Sequence, residues 1–139
     1  MNKGSKLPQV LFVCVHNAGR SQMAEAFFNR LAQGKARALS AGTAPADAID
    51  PTVVEAMREV GIDVSCNKSK VLTPEMVEQA DVVVTMGCGA EGVCPATFVK
   101  TEDWGLADPK GQPLPEVRTI RDEIRARVIE LLKRMECNN

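Results

Sequence analysis

The residues best equipped for chemistry lie in one stretch, Cys14-Val15-His16-Asn17-Ala18-Gly19-Arg20-Ser21. An apolar, β-rich run from 9 to 15 leads into it, and a helical stripe of Met23, Phe27 and Leu31 follows. A turn between a strand and a helix is an anion site by geometry. The backbone N–H groups of the turn and of the first helical turn can all point at one tetrahedral oxyanion. The helix dipole and Arg20 favour the thiolate form of Cys14. Arg20 can grip two anion oxygens with its planar fork, which lysine cannot do. Ser21 can donate a hydrogen bond to the sulfur, and Gly19 lets the backbone approach the anion closely. The letters Cys-x5-Arg alone are weak, because cysteine is often simply buried and an unrelated surface arginine can follow by chance. The placement between strand and helix, with serine next, favours an oxyanion site built from Val15, His16, Asn17, Ala18, Gly19, Arg20 and Ser21 around Cys14. A nucleotide-binding loop is excluded, because arginine stands where that motif needs lysine and a cysteine begins the loop.

Three further residues have candidate chemistry. Asp108 precedes Pro109; a carboxylic acid on such a loop can protonate a leaving oxygen, and an Asp-Pro pair can equally be a plain turn. Cys88 and Cys94 sit in Gly87-Cys88-Gly89-Ala90-Glu91-Gly92-Val93-Cys94-Pro95, a stretch supple enough to bring two sulfurs to bonding distance. The same pair reads also as two loop cysteines without a redox role, or as half a metal site. The five cysteines include no Cys-x-x-Cys pair, and His16 is the one histidine, which argues against a zinc ribbon; no metal is expected. Cys66, in a polar loop, and Cys137, near the end of the chain, need no role.

These groups must be positioned by one domain spanning residues 1–139. Hydrophobic residues make up 45% and charged residues 25%, as in a globular chain. A net charge of -1 gives no reason to expect nucleic acid or an acidic membrane surface as partner. The apolar run before Cys14 is too short to span a membrane, and no small-residue cleavage site follows it, so the cytoplasm is the expected location. There the thiols stay reduced, and permanent disulfides are not expected. Residues 9–15, 36–41 and 81–85 read as strands, with Phe98-Val99 as a last short one. Helices are expected over 20–33, stopped by Gly34, from Asp50-Pro51 to near Gly61, and from Thr73-Pro74-Glu75. The apolar positions of the second helix are Val53, Val54, Met57 and Val60. Asp108 to Pro115 reads as a loop, and a long helix starts near Glu116 with Val117, Ile120, Ile124, Val128, Leu131 and Met135 along one face. Alternating strands and helices predict an α/β fold, a four-stranded parallel sheet covered on both sides in three layers. In such sheets ligands bind at the carboxyl ends of strands, where the Cys14 loop lies.

Cys14 to Glu25, Ser40-Ala41-Gly42, Thr85-Met86-Gly87-Cys88, Asp103-Trp104-Gly105-Leu106-Ala107-Asp108-Pro109 and Ile120-Arg121-Asp122-Glu123-Ile124 together resemble the low-molecular-weight protein tyrosine phosphatase family and its arsenate reductase branch. The likeness runs nearly the whole chain. It implies the low-molecular-weight phosphatase-like fold, Cys14 as nucleophile and Asp108 as general acid. The phosphatases resemble one another in placing tyrosines after the Asp-Pro; this chain has Lys110-Gly111 there and no tyrosine at all, which suits a small inorganic anion. Resemblance to the thioredoxin-coupled reductases implies a cascade. Cys14 attacks arsenate, Cys88 attacks Cys14 as arsenite leaves, and Cys94 moves the disulfide to Cys88–Cys94, which thioredoxin reduces. On this reading the enzyme is monomeric, needs no cofactor beyond thioredoxin as electron donor, and phosphate or sulfate competes for the loop. The alternatives are a phosphatase, a reductase served by glutaredoxin or a low-molecular-weight thiol, and a non-catalytic oxyanion or redox sensor. The family also implies that Asn17 braces the loop, that His16 shapes the pocket and that Trp104 packs the acid loop. In some relatives Ser40, Glu25 and Asn17 hold a potassium ion with an aspartate whose place here falls to Lys70, so no potassium dependence is expected.

Overall fold

The computed structural model describes residues 7–86 and 100–137. Four strands form one sheet in the order β2-β1-β3-β4: β1 (Gln9–Cys14), β2 (Arg37–Gly42), β3 (Val82–Thr85) and β4 (Lys100–Asp103). Every pairing is parallel. The helices are α1 (Arg20–Ala32), α2 (Pro51–Arg58), α3 (Pro74–Gln79) and α4 (Leu114–Cys137).

Alternation along β1 separates the two faces. Val10, Phe12 and Cys14 join Met23, Phe27 and Phe28 of α1, Val53 and Met57 of α2, and Val117, Ile124 and Val128 of α4 in one core. Leu11 and Val13 point the other way, into a smaller cluster with Ala41 and Val83, against which Met76 and Val77 of α3 pack. A strand with apolar side chains on both faces must be covered twice, and this one is. The result is the expected three-layer α/β/α arrangement. Phe12 and Phe28 are wholly buried and meet edge to face at 6.0 Å. Each such side chain contributes roughly 1.5–3 kcal/mol by leaving water.

The capping residues act as their types dictate. Asp50 accepts from the N–H of Thr52 at 3.0 Å, and Thr73 accepts from that of Met76 at 3.3 Å, each directly before a helix that opens on proline. Gln33 and Gly34 turn left-handed (φ 51° and 83°) and end α1.

Two boundaries differ from the sequence reading, and one strand was not expected from it. The last strand described is Lys100–Asp103; Phe98-Val99, where the sequence reading placed it, lie outside the described residues. Lys-Thr-Glu-Asp shows no apolar alternation; its strand character comes from parallel pairing with Val82–Thr85, information that a local pattern does not hold. The final helix starts at Leu114, two residues earlier than expected, because Pro115 in a first helical turn gives up an N–H that has no partner there anyway. Val60 lies beyond the end of α2 and is 40% exposed instead of packed in the helix stripe.

α2 is tied to α4 by charge as well as by apolar packing. Glu59, the residue after α2, accepts from Arg118 at 2.9 and 2.7 Å through Nε and Nη2, and from Arg121 Nη1 at 2.9 Å. The Arg118 hydrogen bonds, opposed by desolvation and assisted by Arg121, hold the Glu59 carboxyl at about 2, below its ordinary 4.5. A depressed carboxylate stabilises the fold above its unfolded value, and that contribution is lost as pH falls through its folded value. Glu59→Gln is therefore expected to lower Tm at neutral pH. The gap from the unsubstituted protein should close between pH 4.5 and about 2. Thermal melts of both proteins across that range check it; a gap independent of pH would show that Glu59 is not held as a carboxylate by the arginines.

Candidate active site

The sheet register brings the chemistry to one edge. Cys14 ends β1 opposite Gly42, the last residue of β2, while Thr85 and Asp103 end β3 and β4 beside each other. Cys14 is 3% exposed, and its Sγ lies 2.9 Å from Ser21 Oγ in the first turn of α1. Asn17 Nδ2 donates to Ser21 Oγ at 2.7 Å. The serine oxygen thus accepts from Asn17, and its own proton can be given to the sulfur when Cys14 is a thiolate.

The turn between them has every carbonyl from 15 to 19 tied down. Val15 O accepts from Ala44 N at 2.8 Å, His16 O from Ala46 N at 2.9 Å, and Ala18 O from Asp50 N at 3.0 Å. Asn17 O accepts from Ser69 Oγ at 2.9 Å, and Gly19 O from Met23 N at 3.0 Å within the helix start. A turn whose carbonyls are held by outer segments presents its amides to the inner side, the geometry of an anion nest. Asn17 makes the bend with a left-handed backbone (φ 51°), a conformation that asparagine tolerates better than most residues.

Arg20 is 8% exposed. Its Nη1 donates to Met86 O at 2.7 Å and to Leu106 O at 2.9 Å, so one nitrogen fastens the guanidinium to the exit of β3 and to the loop after β4. Nη2 lies 3.9 Å from Asp108 Oδ2. Asp108 is half exposed and folds back on its own backbone, accepting from Lys110 N at 3.0 Å. The loop that carries it is anchored at Trp104, whose ring packs at a tilt against Phe12, centroids 5.6 Å apart, and which donates through Nε1 to Glu102 at 2.8 Å. Pro109 rests on Gly19: a Cβ at Gly19 would stand 2.9 Å from the proline ring.

Cys14, His16, Ala18, Gly19, Arg20, Asp108, Pro109 and Lys110 line one cleft of about 310 Å³, closed on the far side by Ala46, Ala48, Asp50, Pro51 and Gly111. The structure therefore brings Cys14, His16, Arg20 and Asp108 into one cavity and seats Ser21 against the sulfur. His16 Nδ1 bonds the carbonyl of Ala44 at 3.2 Å, tying the ring to the wall. Cys88 and Cys94 lie outside the described residues. Among the described residues no cluster of histidine, cysteine and carboxylate could hold a metal ion, and no helix is long and apolar enough to cross a membrane. Lys70 Nζ stands 3.7 Å from Glu25 Oε1, the oxygen to which Ser40 Oγ also donates.

Sequence reasoning missed two positions. Gly42 lies directly beneath the turn, where a Cβ would come within 2.6 Å of Val15 O and 3.0 Å of Asn17 N. Gln22 is fully buried and bonds Asn17. A glycine ending a strand and a glutamine entering a helix carry no local signal of either task. Gly42→Ala is expected to displace the turn, at a cost of roughly 1–3 kcal/mol in stability. It should also weaken the binding of inorganic phosphate as a probe of the anion nest. Thermal melts and phosphate titration check it, and unchanged phosphate affinity would mean that the turn absorbs the methyl group elsewhere.

A family model for low molecular weight phosphotyrosine protein phosphatases matches residues 9–139. A protein of Halobacterium salinarum, provisionally named arsenate reductase, is 42% identical over 125 residues, covering 86% of this chain and 87% of that protein. Among solved structures, a thioredoxin-dependent arsenate reductase of Corynebacterium glutamicum superposes with a TM-score of 0.83 at 39% identity over 97% of this chain. This chain spans 65% of the length of that one. An arginine phosphatase of Geobacillus stearothermophilus superposes equally well, with a TM-score of 0.83 at 26% identity over 94% of each chain.

Proposed function

The chain belongs to the low molecular weight phosphotyrosine protein phosphatase family, and from that premise we propose that it reduces arsenate to arsenite with thioredoxin as electron donor. The observation that carries the reading is the cleft around Cys14. Among the described residues its walls are mostly small or polar, with Ala18, Ala46, Ala48, Pro109, Lys110 and Gly111 and no phenylalanine, tyrosine or tryptophan to flank a phosphotyrosine. Relatives named as reductases at 42% and 39% identity support the same choice.

In the proposed reaction the arsenate occupies the concave side of residues 15–21, held by backbone amides and by Arg20. The Cys14 thiolate, stabilised by the Ser21 hydroxyl, attacks arsenic. An As–O bond breaks, and Asp108 gives its proton so that water leaves. Cys88 thiolate then attacks the Cys14 sulfur; the S–As bond breaks, its electron pair stays on arsenic, and arsenite departs as a Cys14–Cys88 disulfide forms. Cys94 attacks Cys88 and frees Cys14, leaving Cys88–Cys94, which a thioredoxin dithiol reduces by exchange. One arsenate and one dithiol become one arsenite, one disulfide and water. The cycle needs no bound cofactor, only a compartment that keeps thiols reduced, as the cytoplasm does.

A phosphatase would share Cys14, Arg20 and Asp108 and ignore Cys88 and Cys94. The test is a coupled assay following NADPH oxidation with thioredoxin and thioredoxin reductase, with glutaredoxin and glutathione as the parallel arm. Multiple turnovers of arsenite production are expected in the thioredoxin arm. Cys88→Ser should abolish turnover, whereas a phosphatase would keep its hydrolysis of a phosphomonoester. Turnover with glutaredoxin alone would reassign the donor, and absence of arsenite in both arms would overturn the reading.

The same assay tests the cation expectation. The Lys70 ammonium already neutralises Glu25. Exchanging potassium for sodium at equal ionic strength is expected to leave the rate unchanged; a clear gain with potassium would show that the ion displaces the ammonium.

A further inference from the structure

Gln22 follows Arg20 and Ser21 in the first turn of α1, yet it faces neither the cleft nor the apolar core. It is fully buried. Its Nε2 lies within hydrogen-bond distance of three oxygens: Asn17 O at 3.2 Å, Asn17 Oδ1 at 3.1 Å and Lys68 O at 3.1 Å. Its Oε1 accepts from Asn67 Nδ2 at 3.2 Å. Three acceptors around one end and a donor at the other leave the carboxamide a single orientation.

That orientation determines the next one. Asn17 Oδ1 receives Gln22 Nε2 and, at 2.8 Å, the backbone N–H of Lys70. Two donors at this end hold the oxygen there, so Nδ2 must face Ser21. Nδ2 donates to Ser21 Oγ, and toward a Cys14 thiolate, which carries no proton, the serine hydroxyl is the donor across the 2.9 Å contact. The Gln22 and Asn17 carboxamides are each fixed in orientation by their partners, and a buried chain of this kind is worth more intact than link by link.

We infer that Gln22 is a positioning residue for the nucleophile: through Asn17 and Ser21 it commits a proton to the Cys14 sulfur and so stabilises the thiolate. It touches no substrate. The inference deepens the proposed function only in taking Cys14 as the attacking atom, and it stands whether the electrophile is arsenate or a phosphoester.

The test reads the thiolate directly, on the full chain, as the rate of Cys14 alkylation by iodoacetamide resolved by peptide mass spectrometry. Gln22→Met keeps the length and removes both polar ends. At about pH 6.5, below the ordinary thiol range, Cys14 in this variant should be alkylated about tenfold more slowly than in the unsubstituted protein, the worth of one hydrogen bond to a charged group. At about pH 10, where thiols ionise unaided, the two rates should coincide. In a Ser21→Ala background Gln22→Met should have no further effect at the lower pH, because the path runs through Ser21. Equal rates at the lower pH, or full additivity with Ser21→Ala, overturn the inference even if the variant melts earlier. Where Gln22→Met does not fold, the exposed Asn67→Ala removes only the outer partner of Oε1. It should slow Cys14 alkylation at the lower pH about twofold to threefold, a partial loss of the same bond; an unchanged rate overturns the inference. Because alkylation needs no arsenate, its outcome is independent of the coupled assay.

Discussion

A chain turn that binds an anion must face its amides inward, and it can do so only if its carbonyls are satisfied on the outside. Here that demand organises the molecule. The loop from Ala44 to Asp50 supplies three amides to the carbonyls of residues 15, 16 and 18. The loop of residues 67–70 supplies Ser69 to Asn17 and the Lys70 amide to its side chain. Residues distant in sequence are therefore committed to holding one turn, and the two long connections between β2 and β3 have a physical reason for their paths. A buried carbonyl left without a donor would cost more than any single contact in the cleft returns.

Arg20 belongs to the same logic from the other side. An arginine placed to meet an anion must not swing away when the anion is absent. Nη1 is taken by two carbonyls, one at the exit of β3 and one in the loop that carries Asp108. The side chain is thereby pre-set, and the remaining edge of the fork is the one beside Asp108. The guanidinium and the Asp108 loop are tied through Leu106, and Pro109 seated on Gly19 makes that fit steric as well as electrostatic.

Much of this was legible in the residues. The apolar run before Cys14, the capping aspartate and threonine with their prolines, and the apolar face of α4 place β1, α2, α3 and α4 because each signal is local and each has one physical meaning. Cys14, Arg20 and Ser21 stand out because strand, turn and helix start have a fixed spacing. What was not legible is relational. Lys100–Asp103 is a strand because β3 is there to pair with it. Gly42 is constrained because the turn after the neighbouring strand passes over it. Gln22 is an ordinary helix residue until the loop of residues 67–70 closes above it. The carbonyls that share the Arg20 guanidinium were not legible either, since they belong to residues 66 and 86 positions away in the chain.

The strand, turn and helix around Cys14 cannot by themselves distinguish hydrolysis from reduction, and equal superposition on a phosphatase and a reductase is the natural consequence. Both chemistries begin with a thiolate displacing an oxygen from a tetrahedral anion. They part at the second step, where a phosphatase calls on water and a reductase on another thiol. Met86 N donates to Val13 O at 3.0 Å, so the segment leaving β3 starts beside the strand that carries Cys14. Arg20 holds the carbonyl of the same residue. Cys88 follows Met86 by two residues in the chain. Arg20, which lines the cleft, is thus bonded to the residue at which the chain leaves β3, two positions before Cys88 in the sequence.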